Sequence, residues 1–184
     1  DNGCIINTAI QAAGEPNQVS ISVSKKNYTH DMIMRTGKFT VSSLTEKADF
    51  SLFKRFGFQS GKDNDKFLGF DGWLRGINGV PYITESCNAY ISVKVEKTVD
   101  LGSHTLFIGE VTDMEVLSED SSVTYEFYQK NIKPKPEKVG TTPKGETVWR
   151  CIICGYEYVG EELPEDFICP WCKHPASDFE KIVR

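Results

Sequence analysis

Four cysteines near the end of the chain, in the pairs Cys151-Ile-Ile-Cys154 and Cys169-Pro-Trp-Cys172, have the spacing of a metal site. A Cys-x-x-Cys turn points two sulfurs at one place, so two such turns facing each other offer four thiolates in a tetrahedron. The chain is expected to be cytoplasmic, and a disulfide framework does not suit a reducing compartment. Zinc and iron fit such a ligand set equally on geometry, so the surroundings of the sulfurs must decide. Gly155 can take positive φ and turn backbone N–H groups toward sulfur, which stabilises the reduced, more negative state of an iron centre. Pro170 sets the same kind of turn after Cys169.

About thirty residues cannot fold on burial alone, so the metal is expected to supply much of the folding free energy. A cluster of Trp149, Tyr156, Phe167, Trp171 and Phe179 would assist and would exclude water from the sulfurs. The strings "WRCIICGY", "EDFICPWC" and "SDFEKI" resemble rubredoxin, the one-iron Fe(Cys)4 electron carrier, and the short segment between the pairs is nearer to the rubredoxin-like domain of rubrerythrins. That resemblance implies iron held by Cys151, Cys154, Cys169 and Cys172, with a structural zinc ribbon as the alternative. From Trp149 to Arg184 there are seven acidic and four basic residues, a surface that suits a basic electron-transfer partner and equally an ordinary solvated face.

A second place for chemistry lies far upstream. "SVSKKNYTHDMI" runs from a strand through Ser24, Lys25, Lys26, Asn27 and Thr29 into a helix start, where free N–H groups and the helix dipole favour a phosphate. A helix that is only capped has the same look. Four ordered segments, "GCIINTAIQ", "KKNYTHDMI", "FGFQSGKDNDKF" and "DLGSHTLFIGEV", resemble the flavin reductase-like family of FMN-binding split β-barrels. The resemblance implies a homodimer with FMN near the subunit interface, Asn7 and Thr8 beside the ring or ribityl chain, and Ser24, Lys25, Asn27 and Thr29 around the phosphate. It also implies Lys62 as a phosphate cation and His104 on the nicotinamide side of the flavin. Taken by themselves, His104 beside a turn suits a surface histidine and Lys62 suits solvated charge. Lys66 reads as solvated, and Cys4 and Cys87 as small buried residues.

The elements that must position these residues are mostly strands. "CIINTAIQAA" reads as a first strand, and "QVSISVS" as a second, with Val19, Ile21 and Val23 facing inward. "THDMIMRTG" reads as a helix capped by Thr29 and stopped by Gly37, and "KFTVSSL" as the next strand. Residues 47–57 place Phe50, Phe53 and Phe56 on one helical face, followed by a Gly- and Asp-rich loop. A long hairpin alternates Ala89, Ile91, Val93 and Val95, turns at "DLGS" and returns from His104. The expected architecture is mainly β: a split β-barrel over 1–130, a Pro- and Lys-rich linker over 131–148, and a small rubredoxin-like metal domain over 149–184. The family carries a helix and a strand ahead of the Asn-Gly-Cys segment. A stretch before Asp1 is therefore expected, unless the first strand is supplied otherwise.

Composition narrows the function. A formal charge of −5 lacks the basic patch of a nucleic-acid binder, and no apolar run reaches the roughly 20 residues of a membrane span. No strand-turn-helix G-x-G-x-x-G is present, so a nicotinamide would visit the flavin only transiently. The order of flavin reductase-like body and short rubredoxin resembles the high-molecular-weight rubredoxins of anaerobic bacteria. It implies electrons from NAD(P)H, directly or through an NADH-dependent reductase, passing by FMN and iron to an acceptor such as a flavodiiron nitric oxide or oxygen reductase. The alternative is an NAD(P)H:flavin reductase with a zinc ribbon.

Overall fold

In chain order the elements are β1 (Ile10–Gly14), β2 (Asn17–Ser24), α1 (Tyr28–Thr36), β3 (Lys38–Leu44), α2 (Phe50–Gly57), β4 (Trp73–Arg75), β5 (Pro81–Ile83), β6 (Cys87–Asp100), β7 (His104–Val116) and a helical turn α3 (Tyr125–Phe127). After it come β8 (Thr147–Cys151), β9 (Glu157–Val159) and β10 (Phe179–Val183). The computed structural model describes residues 1–134, 147–172 and 174–183, with backbone alone at 183. The chain divides into two compact units, Asp1–Lys133 and Pro134–Arg184. Among the described residues no helix is long and apolar enough to cross a membrane.

The first unit is an antiparallel sheet of five strands in the order β1-β2-β7-β6-β3, with β4 and β5 forming a separate short hairpin. Alternation explains its inner face. Val19, Ile21 and Val23 of β2 meet Val93 of β6 and Phe107 of β7, the last two with no exposed surface, and Phe39 and Ile33 close the cluster. Burying each such side chain contributes about 1.5–3 kcal/mol. The opposite side of β6 is also covered, since Tyr90 stacks on Tyr82 of β5 at 4.0 Å and donates to Asp113 at 2.8 Å.

Three local outcomes differ from expectation. The first strand is shorter, starting at Ile10, because Thr8 accepts from the Ser22 N–H at 3.1 Å and donates to the Ser22 carbonyl at 3.0 Å. One side chain thereby occupies the backbone groups that a neighbouring strand would use. Helix α1 is capped by Asn27, whose Oδ1 accepts the Thr29 N–H at 3.2 Å, while Thr29 sits inside the first turn. Gly37 then ends α1 at φ 65°, a left-handed conformation that costs glycine little. In α2 the buried face is Leu52, Phe53 and Phe56, with Phe50 only partly covered.

The second unit is a three-stranded antiparallel sheet in the order β10-β8-β9. Residues 135–146, most of the expected linker, lie outside the described residues. At its edges a π-type turn runs over Tyr128–Ile132, and β8 already begins at Thr147.

Candidate functional site

Between β2 and α1 the chain turns sharply, with the Asn27 N–H donating to the Ser24 carbonyl at 3.0 Å. Ser24, Asn27 and Thr29 therefore gather at one end of α1. Ser24 Oγ accepts weakly from the Lys26 N–H at 3.4 Å, and Thr29 Oγ1 accepts from Asn2 Nδ2 at 2.9 Å. His104 faces Ser24 across the β2–β7 ladder and is exposed, with Nδ1 2.8 Å from Ser103 Oγ. Asn7 is exposed, and its neighbour Thr8 is pinned to Ser22, two residues before Ser24. Hence Thr8, Ser24, Asn27, Thr29 and His104 share the end of β2.

The two expected lysines are placed differently. Lys25 reaches over the β6–β7 hairpin to Asp100, with 2.7 Å to both carboxylate oxygens, and this hydrogen bond holds the Asp100 carboxyl below its usual range. Lys62 is exposed, 5.8 Å from the Tyr28 ring centre, beside a cleft that also contains Asp1, Asp63 and Asp65. The cation that the fold buries here is Lys66. It is 3% exposed, contrary to its reading as solvated charge, and donates to the Gly3 carbonyl at 2.9 Å and the Phe56 carbonyl at 3.0 Å.

Burial lowers the Lys66 pKa, with the Cys4 thiol acting in the opposite direction, and among the described residues no carboxylate pairs with it. Cys4 lies between Lys66 and the helix start. Burial raises its thiol pKa, while the side chains of Thr29 and Asn27 and the Lys66 charge pull it back. Asn2 Oδ1, the other polar atom of the side chain that donates to Thr29, is buried without a hydrogen-bond partner among the described residues. A buried ammonium without a counter-ion costs free energy, so an anion at this end of α1 would be stabilised by it. Sequence reasoning missed Lys66 because it sits in a polar run, and only the folding of the 58–70 loop against Gly3 buries it; half-buried Asn2 meets the same loop at Gly61.

In the second unit the sulfurs of Cys151, Cys154, Cys169 and Cys172 lie within 4.8 Å of one another, and all four residues are buried. The Cys151 and Cys172 sulfurs stand 3.6 Å apart, and those of Cys154 and Cys169 3.5 Å. A tetrahedron with metal–sulfur bonds of about 2.3 Å has edges of about 3.8 Å, so the donor set fits a single ion. Burial pushes the Cys154 thiol up to about 12 and Cys172 upward as well. Cys169 is lowered: burial opposes this, but backbone N–H groups of Cys172 and Trp171 outweigh it. Gly155 takes φ 77°, as expected. Further N–H groups, of Tyr156 and His174, face Cys154 and Cys172.

The aromatic cluster forms around Tyr156, with Phe167, Trp171 and Phe179 at 5.4–6.4 Å, and it gains Tyr158 against Phe167 at 4.9 Å. Trp149 instead lies under Lys181 at 5.5 Å and donates its indole N–H to the Gly160 carbonyl at 3.2 Å.

The family described as flavin reductase like domain matches residues 1–135. The chain belongs to the flavin reductase-like family. Residues 149–180 of this flavin reductase-like chain match a second family, the rubredoxin-like domain of rubrerythrin, so the four-sulfur unit is rubredoxin-like. Over 98% of its length the chain is 33% identical to a high molecular weight rubredoxin of Moorella thermoacetica, 90% of which is covered. It is 37% identical to a ferric-chelate reductase (NAD(P)H) of Archaeoglobus fulgidus over 80% of this chain and 83% of that one. A solved FMN-binding protein of Thermus thermophilus superposes with a TM-score of 0.57 at 25% identity, covering 63% of each chain. The fold of this family member is thus mainly β, a flavin reductase split barrel followed by a rubredoxin-like Cys4 unit.

Proposed function

We propose that this chain is an electron relay, taking electrons from NAD(P)H and delivering them singly to a redox protein. FMN, when bound, accepts the two electrons of a hydride and releases them one at a time, and iron among four thiolates changes charge by one. The observation that carries the reading is the four-sulfur site in the same chain as a flavin reductase-like body.

Within that body Ser24, Asn27 and Thr29 would hold the FMN phosphate with Lys66 as its buried cation. Asn7 and Thr8 would lie along the flavin, and His104 would face the nicotinamide. Lys25 and Lys62 would add charge at the rim. Backbone N–H groups around Cys154, Cys169 and Cys172 would favour the reduced iron site by stabilising negative charge on sulfur. The names of the two relatives support both ends, one being a rubredoxin and the other an NAD(P)H-dependent reductase. The family resemblance supports a homodimer in the cytoplasm. It also supports NADH, or a separate NADH-dependent reductase, as donor and a flavodiiron protein as acceptor.

The test is metal analysis and an absorption spectrum of the intact protein, followed by anaerobic addition of NADH. Near-unit FMN and iron per chain, with both chromophores bleaching, is the expected result. A colourless second unit holding zinc would overturn the relay and leave the alternative, an NAD(P)H:flavin reductase with a structural ribbon.

A further inference from the structure

Helix α1 carries the phosphate cradle in its first turn, whereas β7 carries His104 at its first residue. These are separate elements, and a single flavin can touch both only if their separation is held constant. Besides Ile33, which joins Phe107 in the apolar core, one buried polar side chain among the described residues crosses between them. His30 is 9% exposed, with Nε2 2.9 Å from Thr105 Oγ1 and Nδ1 3.1 Å from Asp31 Oδ1. Its ring meets Phe107 of β7 edge-on, at 5.6 Å and 61°. Thr105 is itself 5% exposed, so water has little access to the bond.

The direction of that bond follows from its partners. A carboxylate only accepts, so the Asp31 contact favours the tautomer with hydrogen on Nδ1; in that tautomer Nε2 accepts and the Thr105 hydroxyl donates to it. Two other ties cross the same junction, the Lys25 N–H to the Ser103 carbonyl at 3.0 Å and the Lys25–Asp100 pair. Lys25 and Asp100 are exposed, and a solvated ion pair holds position weakly. Among the described residues, the His30–Thr105 bond is the buried hydrogen-bonded side-chain link.

We propose that His30 is a positioning residue: by bonding α1 to Thr105 it sets the phosphate cradle against His104, the residue just before Thr105 on β7. The inference rests on the flavin reading for what the two ends hold. The ring contact with Phe107 leaves Nε2 in the core, and the Thr105 hydroxyl is the partner that pairs it and ties it to β7.

The test uses the full chain, with FMN titrated by fluorescence and reduction of the FMN-saturated protein by NADH followed in stopped flow. Thr105→Val removes the donor while keeping the shape, and His30→Leu removes the acceptor. Each is expected to raise the FMN dissociation constant about tenfold, equivalent to about 1.4 kcal/mol. Each should also slow flavin reduction at saturating NADH. The double variant should lose no more than either single one, because both cut the same bond. His30→Gln retains an acceptor near the Nε2 position and should recover most of both losses.

FMN affinity and reduction rate unchanged in His30→Leu and Thr105→Val, even with a lowered melting temperature, would make the bond purely structural and overturn the proposal. Additive losses, or no recovery in His30→Gln, would overturn it as well. A parent protein that binds no FMN at all would overturn the flavin reading together with this one, and is told apart by the first titration.

Discussion

Lys66 shows how much a single buried charge can decide. Its ammonium has two carbonyl acceptors and, among the described residues, no carboxylate, and burial lowers its pKa. A bound phosphate would reverse that shift, so Lys66→Met should weaken FMN binding at least tenfold, on the order of 1.5–3 kcal/mol for a charge-assisted hydrogen bond. Equilibrium titration checks it, and an unchanged affinity would remove Lys66 from the cradle. At the other end of the chain, Cys169→Ser should abolish stoichiometric metal binding and the cooperative unfolding of residues 147–183, read by metal analysis and circular dichroism. The two residues differed in legibility. The cysteines announce themselves by spacing, whereas Lys66 sits in Lys62-Asp63-Asn64-Asp65-Lys66, a run whose composition signals solvent, and its burial arises only from tertiary folding.

Caps carry the energetics at the level of elements. Asp49 caps α2 by accepting the Ser51 N–H at 2.6 Å, and hydrogen bonding to Ser51 lowers its carboxyl pKa. A depressed folded pKa contributes stability that is present above the unfolded value, near pH 4, and is lost as pH falls through the folded value. Asp49→Ala should therefore destabilise the first unit by about 1 kcal/mol at neutral pH, with the difference shrinking in acid. Chemical denaturation at several pH values measures it. Strands and helices were mostly readable because alternation and 3.6-residue spacing are local, as in Val19, Ile21 and Val23. The exceptions were settled by side chains competing with backbone. Thr8 takes the place of a strand residue against Ser22, and Asn27 takes the cap from Thr29. The β4–β5 hairpin was not readable either, since each strand has three residues, too few to show a period.

For the whole molecule, what matters is that the two units draw their stability from different sources. Residues 1–133 have an apolar core, whereas the second unit converges on four sulfurs. Burial holds the Cys154 and Cys172 thiols protonated at neutral pH, so metal must displace protons, and affinity falls as pH drops. Acidification should release the metal and melt the second unit while the first keeps its secondary structure, which circular dichroism with parallel metal analysis will show. Loss of both together would mean that the units are energetically one. In the proposed relay the fusion would set how often the two redox groups meet: an effective concentration up to about millimolar would make electron passage between them independent of dilution. Laser-flash reduction across a range of protein concentrations checks this, and a rate proportional to concentration would show passage between molecules instead.

The arrangement of indoles gives the protein its own gauge of occupancy. Trp171 lies against Tyr156 beside the sulfurs, Trp149 stands on the strand that delivers Cys151, and Trp73 packs on Phe67 in the other unit. An ion whose bonds to sulfur absorb visible light drains excitation from nearby rings, and a closed-shell ion such as zinc does not. Ultraviolet emission should therefore be dim while an iron atom is seated and brighten as it leaves, with Trp73→Phe sharpening the contrast. A zinc-filled protein would glow from the start.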